Sequence, residues 1–320
     1  MRYTENVTFC GTGLDRGAAL RENSDWLRLA LRRQGARVLP VWRGKIPIRI
    51  GQSAKLAWLP PDCDCFKDSS ESPILLGLTD GNPAFARDIS NWDPGESARP
   101  SEFLDASKQS HPDIPDECFF VDLRLHMTQL DAREAELAAI AKAVLGWHST
   151  HRYCARCGRP SHPECAGWRR DCNHCDSQHF CRTDPVVIML ITRGNSVLVG
   201  RSYEWPSKTY SLLAGFMEPG ETVEAAVRRE VFEETSVRVG EVEMLTTQPW
   251  PFPTSLMIGC RGEALSSEIN IDATEIEDAK WLSREDMLDV YAGIREDVAP
   301  PRKGAIAHFI IFSWLAGKLH

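Results

Sequence analysis

The sequence predicts a mixed α+β protein, an α+β fold or an α/β/α sandwich, with a small metal-held ribbon within the chain. Short apolar runs of strand length alternate with amphipathic helical stretches along the chain. Two Cys-x-x-Cys pairs, Cys154/Cys157 and Cys172/Cys175, are separated by fourteen residues. That spacing suits a closed, tetrahedral four-cysteine zinc site. The stretch Leu213 to Val237 reads as a turn feeding a glutamate-rich helix.

A chain of 320 residues has room for two or three domains. Its net charge of -8 argues against a broad grip on nucleic acid and leaves room for a local basic patch. No apolar run approaches the ~20 residues of a membrane helix. The first residues lack the basic-then-apolar layout of a signal peptide. Eleven cysteines could suggest secretion, but four fall in the paired units and point to metal. The cytoplasm is the expected compartment.

Residues 1–130 form the first expected domain, a small α+β unit. Asp15 to Leu31 offers Leu20, Trp26, Leu27, Ala30 and Leu31 to one helical face. Strand-type runs follow at Arg37 to Trp42, Ile46 to Ile50, Ala57 to Leu59, Ile74 to Leu78 and Phe119 to Asp122. Asp80-Gly81-Asn82-Pro83 is a turn signal, and Arg99 to Pro115 reads as a loop. Cys63 and Cys65 read as free thiols rather than a metal site.

Residues 131–150 are a connecting helix. Asp131 can cap it with Glu134 three residues later, and Leu137, Ile140, Ala141, Val144 and Leu145 repeat at helical spacing, fading near Trp147-His148. Residues 151–182 hold the ribbon. Gly158 supplies the φ > 0 latitude a knuckle turn needs, and structural Zn²⁺ would provide most of the folding free energy. Arg152, Arg156, Arg159, Arg169 and Arg170 make this segment basic. It either joins two domains or also contacts RNA.

Residues 183–320 are the last domain. Val186 to Ile191 is a buried-type strand, and Arg193-Gly194-Asn195 turns it into Val197 to Gly200. Leu212 to Phe216 follows, then a type II turn at Pro219-Gly220. A helix runs from Thr222 to Glu234, with Ala225, Ala226, Val227, Val231 and Phe232 as its packing residues. Further strands are expected at Glu241 to Thr246 and Leu256 to Glu263, and a closing helix at Ala305 to Ala316.

The chemistry lies in the last turn of the Thr222 helix. Glu230 and Glu234 are i,i+4 neighbours, with Glu233 beside them. Three carboxylates at a helix C-terminus repel one another and the dipole. A Mg²⁺ or Mn²⁺ ion reverses both effects; the plain alternative is a solvated acidic face. Downstream, Thr247-Gln248-Pro249-Trp250-Pro251-Phe252-Pro253-Thr254-Ser255 sets two aromatic faces among three prolines. The prolines are expected to bar a regular strand or helix. Trp250 and Phe252 can stack on a planar ring, with Gln248 and Ser255 adding hydrogen bonds.

Gly215, Glu221, Arg229-Glu230-Val231, Glu233-Glu234 and Val237 match the Nudix box, with Ser236 where that pattern has its second glycine. The chain thus resembles a Nudix hydrolase. The ribbon and the Thr247 to Ser255 stretch resemble those of NADH pyrophosphatases, with Thr247 in place of that signature's first serine. The resemblance specifies an α/β/α sandwich for the last domain and implies hydrolysis of the pyrophosphate of NADH or NAD to AMP and nicotinamide mononucleotide. Removal of NAD caps from RNA 5′ ends is implied as a further activity.

For site residues, the resemblance implies catalytic roles for Glu230, Glu233, Glu234 and Arg229, and metal ligation by Ala214 (through its carbonyl), Glu230, Glu234 and Glu275. Arg229 is expected to orient the glutamates; Glu277 is the local competitor of Glu275. Substrate contacts are implied for Gln248, Pro249, Trp250, Pro251, Phe252, Pro253, Thr254, Ser255, Glu275, Ala307 and Phe180, which lacks the tyrosine hydroxyl of some members. By the same resemblance the N-terminal domain is implied in dimer formation and in the substrate pocket, and the chain is implied to be a homodimer. A Nudix hydrolase of ADP-ribose or another nucleoside diphosphate derivative is the alternative enzyme, and an RNA-binding Nudix-fold module the alternative without catalysis.

Overall fold

The computed structural model describes residues 7–9, 11–51, 53–69, 71–95 and 104–319. The chain divides into two compact units, one of residues 9–183 with 251–254, the other of residues 1–8, 184–250 and 255–320.

In the first unit, α1 (Ser24–Ala30) is shorter than the run Asp15 to Leu31 suggested. The Asn23 side chain accepts from the Trp26 N–H at 2.9 Å, so the helix starts there. A 3-10 turn at Ala18–Leu20 precedes it. Six strands follow: β1 (Arg37–Val41), β2 (Ile46–Arg49), β3 (Lys55–Leu56), β4 (Ile74–Thr79), β5 (Asn82–Asp88) and β6 (Cys118–Val121). They form two three-stranded sheets, ordered β1-β5-β4 and β3-β2-β6. The strand expected at Ala57 to Leu59 is displaced to β3, and Leu59 keeps only a bridge to Val38. Asp80-Gly81 turns β4 into β5, both residues at positive φ. Of the loop expected over Arg99 to Pro115, residues 99–103 lie outside the described residues; the remainder has no regular structure beyond one bridge at Gln109.

A short helix, α2 (Leu123–His126), leads to α3 (Ala132–Thr150). Asp131 caps α3 by accepting from the Glu134 N–H at 2.9 Å. The expected capping box is only half present, because the Glu134 carboxylate accepts from the Leu56 N–H in β3 instead. Ala135 to Ala141 are buried without interruption, so α3 is a core helix rather than an amphipathic one. The ribbon consists of β7 (His162–Glu164), β8 (Arg169–Asp171) and β9 (Gln178–Phe180), antiparallel in that order.

The second unit is built on β10 (Asp184–Arg193), β11 (Ser196–Arg201), β12 (Leu213–Phe216), β13 (Val239–Trp250), β14 (Ser255–Ala264) and β15 (Asp278–Ser283). The sheet runs β13-β14-β10-β11-β15, with β12 also paired to β10 and the β10/β14 pair parallel. Alternation along β10 decides the layers. Val187, Met189 and Ile191 face a core with α4 (Val223–Thr235); Ile188 and Leu190 face the opposite core, where α6 (Ile306–Leu315) packs beside α5 (Arg284–Tyr291). An α/β/α sandwich results. Phe232, expected to pack, lies 52% exposed. Strands β5, β7, β8, β9 and β15 and helices α2 and α5 have no counterpart among the elements expected from the sequence.

The prolines do not bar a strand. β13 continues through Gln248, Pro249 and Trp250, paired with Met257, Leu256 and Ser255. It is the outermost strand of the sheet, where a residue without an N–H can be accommodated. Only Pro251 to Thr254 form the turn, with a cis peptide between Phe252 and Pro253.

Candidate active site and zinc ribbon

The Nudix-box helix begins at Thr222, whose hydroxyl accepts from the Ala225 N–H. Gly220, at φ 96°, provides the turn before it. The helix ends at Ser236 in the left-handed region, φ 60° and ψ 8°, the conformation a glycine adopts easily at this position. Its N–H donates to the Phe232 carbonyl at 2.7 Å, and its hydroxyl donates to the Asn270 carbonyl at 3.2 Å. The side chain therefore offsets part of the roughly 1 kcal/mol cost of a non-glycine residue here.

Arg229 is the hub of the site. It forms a two-pronged contact with Glu221, Nε to Oε2 at 3.1 Å and Nη2 to Oε1 at 2.6 Å. Its Nη1 donates to Glu230 at 2.8 Å and Glu233 at 3.0 Å, and Nη2 donates to the Phe216 carbonyl at 2.9 Å. A planar fork with five donors satisfies this set as an ammonium could not. Arg229 thus holds the side chains of Glu221, Glu230 and Glu233 together. Glu221, absent from the expected catalytic set, shares in the bracing; its spacing in the box was the available signal.

Glu230 and Glu234 are buried, at 8% and 7% exposure, whereas Glu233 and Glu275 are exposed. Burial and then the charges of Glu230, Glu275 and Glu233 lift the Glu234 carboxyl to about 8. Burial also raises Glu230, against the pull of Arg229. Glu234 Oε2 is buried with no hydrogen-bond partner among the described residues. A buried carboxylate oxygen without a donor, amid like charges, is what a cation satisfies. The donor set is all oxygen, suited to a hard divalent ion. Gly215 completes the cradle, because a Cβ there would overlap the Glu230 carboxyl.

Glu275 reaches the cluster from the loop before β15, a loop held where the Asp272 N–H donates to the Glu234 carbonyl at 3.1 Å. Glu277 is tied instead to Arg201 at 2.7 Å. Ala214 lies in β12 opposite Ile188. Among the described residues, the glutamate oxygens do not close to the mutual 4.8 Å spacing that the four cysteines reach.

The expected substrate residues divide by position. Gln248 is fully buried: Nε2 donates to the Thr8 and Gly304 carbonyls at 3.2 and 2.9 Å, and Oε1 accepts from the Ile306 N–H at 2.8 Å. Its amide clamps the start of α6, which has no local side-chain cap, rather than a ligand. Ala307, buried one residue further on, belongs to the helix so held. Trp250, half-buried, ends β13 opposite Ser255, with Pro249 before it. In the turn, Pro251 is buried, Pro253 exposed and Thr254 half-buried. The Phe252 ring lies 5.1 Å from the Arg124 guanidinium, 5.5 Å from the Lys142 ammonium and 6.3 Å from the Phe9 ring. Phe180 projects from β9, 67% exposed.

The four ribbon cysteines bring their sulfurs within 4.8 Å of one another, the geometry of one closed tetrahedral zinc site. In the first knuckle, the Cys154 N–H donates to the Arg159 carbonyl and the Gly158 N–H to the Cys154 carbonyl, with Gly158 at φ 73°. The second repeats this with Cys172, Ser177 and Asp176, the last at φ 55°. His179 Nε2 lies 3.2 Å from Cys154 Sγ as an outer support. None of the ten described cysteines is paired in a disulfide.

His148 is structural. It is buried between the Gly167 carbonyl, 2.7 Å from Nε2, and the Arg170 guanidinium, 2.8 Å from Nδ1. Arg170 is buried too and donates to Ser161, so it leaves the basic surface expected of the ribbon. Arg169 is paired with Asp171 and Glu22.

A sheet held between helices, with a braced carboxylate cluster on one of them, defines the class. The NUDIX domain family matches residues 182–308, the NADH pyrophosphatase-like rudimentary NUDIX domain residues 35–147, and the NADH pyrophosphatase zinc ribbon domain residues 149–180. The chain is 43% identical over 220 residues to the NAD-capped RNA hydrolase NUDT12 of Homo sapiens, covering 65% of this chain and 47% of that protein. It is 33% identical over 260 residues to the NAD(P)H pyrophosphatase NUDT13, mitochondrial, of Homo sapiens, covering 77% and 72%. Over 197 residues it is 38% identical to the NAD-capped RNA hydrolase NudC of Stutzerimonas stutzeri, covering 62% and 68%. The chain belongs to the Nudix hydrolase family, in its NADH pyrophosphatase branch. It spans about half the length of the first of these relatives. Among the described residues no helix is long and apolar enough to cross a membrane.

Proposed function

We propose that this chain hydrolyses the pyrophosphate linkage of NADH and NAD to AMP and nicotinamide mononucleotide, and the same linkage in RNA carrying a 5′ NAD cap. The observation that carries the reading is the unpartnered, buried oxygen of Glu234 among Glu230, Glu233 and Glu275. Glu230, Glu234, Glu275 and the Ala214 carbonyl would hold Mg²⁺ or Mn²⁺. Bound there, the ion supplies charge neutralisation for two phosphates and acidifies a water for in-line attack. Arg229 keeps Glu230 and Glu233 in register throughout.

Glu233 and Glu234 are the two groups able to take the water's proton. The water oxygen joins one phosphorus as the bridging P–O bond breaks, leaving two monophosphates. Trp250, with Pro249, Pro251, Pro253, Thr254 and Ser255 fixing its frame, is the stacking surface for a flat ring. Ala307 and Phe180 are further substrate neighbours, and Gln248 serves by seating α6. A homodimer and a cytoplasmic setting belong to the same proposal.

The test is product analysis with NADH, NAD, NAD-capped RNA and ADP-ribose, with Mg²⁺ and with Mn²⁺. Glu234→Gln should retain the folded spectrum and lose turnover by at least about a thousandfold. Near-normal kcat in that variant, or cleavage of ADP-ribose alone, refutes the reading.

A further inference from the structure

The ribbon's two knuckles carry opposite charge. Residues 151–160 contain Arg152, Arg156 and Arg159 and no acidic residue; residues 171–180 contain Asp171 and Asp176 and no Lys or Arg. All three arginines are exposed, and none has a carboxylate within 4.0 Å among the described residues. The other ribbon arginines at 169 and 170 are consumed, one in ion pairs and one in the buried His148 network.

The knuckle's own hydrogen bonds gather the free charges. Tyr153 bridges Pro160, the Ser161 N–H donates to the Arg152 carbonyl, and the Cys154 N–H donates to the Arg159 carbonyl. Arg152 and Arg159 therefore flank one narrow loop, with Arg156 at its tip. Between them Tyr153 is 66% exposed, in a small module that could have used an aromatic ring as core. Unpaired cations interleaved with an exposed aromatic ring suit the phosphates and unstacked bases of a single strand.

We propose that the first zinc knuckle is a docking surface for single-stranded RNA, taking the phosphates of the transcript behind the 5′ cap on Arg152, Arg156 and Arg159 and one base on Tyr153. This rests on the capped-RNA part of the proposed function, and it adds a second contact that NADH, lacking an RNA body, cannot make. The arginines act as point charges, so lysine should replace them.

The experiment compares the full chain with R152Q/R156Q/R159Q, R152K/R156K/R159K and Y153A, all checked for one bound zinc per chain. Steady-state kinetics are measured on NADH and on NAD-capped single-stranded RNA across a KCl series. Binding of the same RNA with a 5′ monophosphate, followed by fluorescence anisotropy, reads docking without any cleavage. The glutamine triple should keep kcat/KM for NADH within twofold, lose at least about tenfold on capped RNA, and bind the monophosphate RNA correspondingly weakly. Its slope of log(kcat/KM) against log[KCl] should be shallower by about 2, three contacts at roughly 0.7 each. The lysine triple should retain most of the RNA activity, and Y153A should lose severalfold on RNA alone.

Unchanged RNA kinetics, affinity and salt slope in the glutamine triple overturn the proposal. So does equal loss on both substrates, or loss of zinc in the glutamine and lysine triples alike, which would mark the arginines as supports of the metal site. If the unaltered chain cleaves neither substrate, the functional reading fails, and the anisotropy series still decides the docking surface.

Discussion

Replacing Gly215 by alanine separates catalysis from folding. The new Cβ would lie under 3.0 Å from the carboxyl carbon and both oxygens of Glu230, closer than real Cβ atoms come, whereas ordinary contact begins at 3.4 Å. Gly215 is not at positive φ, so alanine meets no backbone objection there. The obstacle is the far end of a side chain, which can rotate, so the fold should survive at a cost below about 1 kcal/mol. The carboxylate, however, must retreat by ~1 Å or more, breaking its 2.8 Å bond from Arg229. Misplacement of a reacting group by that distance costs on the order of a hundredfold in rate. NADH hydrolysis should show kcat down at least about a hundredfold while thermal unfolding moves only a few degrees. Near-normal kcat would show that Glu230 does not need its position against β12; loss of the folded state would show that the glycine serves packing.

Two other changes test the supports of the site. Gln248→Ala removes three hydrogen bonds and leaves the buried Ile306 N–H without its acceptor, so unfolding should cost about 3 kcal/mol less denaturant work. A change under about 0.5 kcal/mol would deny the clamp. His148 is lowered from 6.5 to about 4, by burial first and then by the neighbouring Arg170 charge, against the Gly167 carbonyl, which raises it. Between those values the unfolded chain binds the extra proton, so this stability is present above about pH 6.5 and fades as pH falls toward 4. Urea titrations at pH 7 and pH 5 should differ by about 2 kcal/mol from this group. His148→Gln should flatten that difference; an unchanged slope refutes the assignment.

The box carboxylates were readable because one helix carries them: spacing alone puts Glu230, Glu233 and Glu234 on a shared turn. The cysteines were readable for the same reason, since each knuckle is local. Glu275 required the family pattern, because its approach depends on a loop bonded to the far end of that helix. The role of Gln248 was not readable at all. A glutamine in a proline-rich stretch resembles a ligand contact until its partners, 56 and 58 residues away, are known. The same holds for Arg170, counted with the surface charge until the structure buried it against His148, and for Glu134, drawn from its own helix cap to the Leu56 N–H. Local rules identify what a side chain offers; distant partners decide whether it is already taken.

Strand β13 has a consequence for the molecule in a crowded solution. An outermost strand presents a row of donors and acceptors to any other chain that can align with it. Pro249 leaves a gap in the donors of β13 near its end, and the exposed Glu241 places negative charge along the same strand, whereas Glu243 is paired with Arg261 of β14 at 2.6 Å. A second copy approaching edge to edge would meet like charge first and an incomplete ladder afterwards. The proline near the end of this strand thus also limits growth of the sheet at that edge.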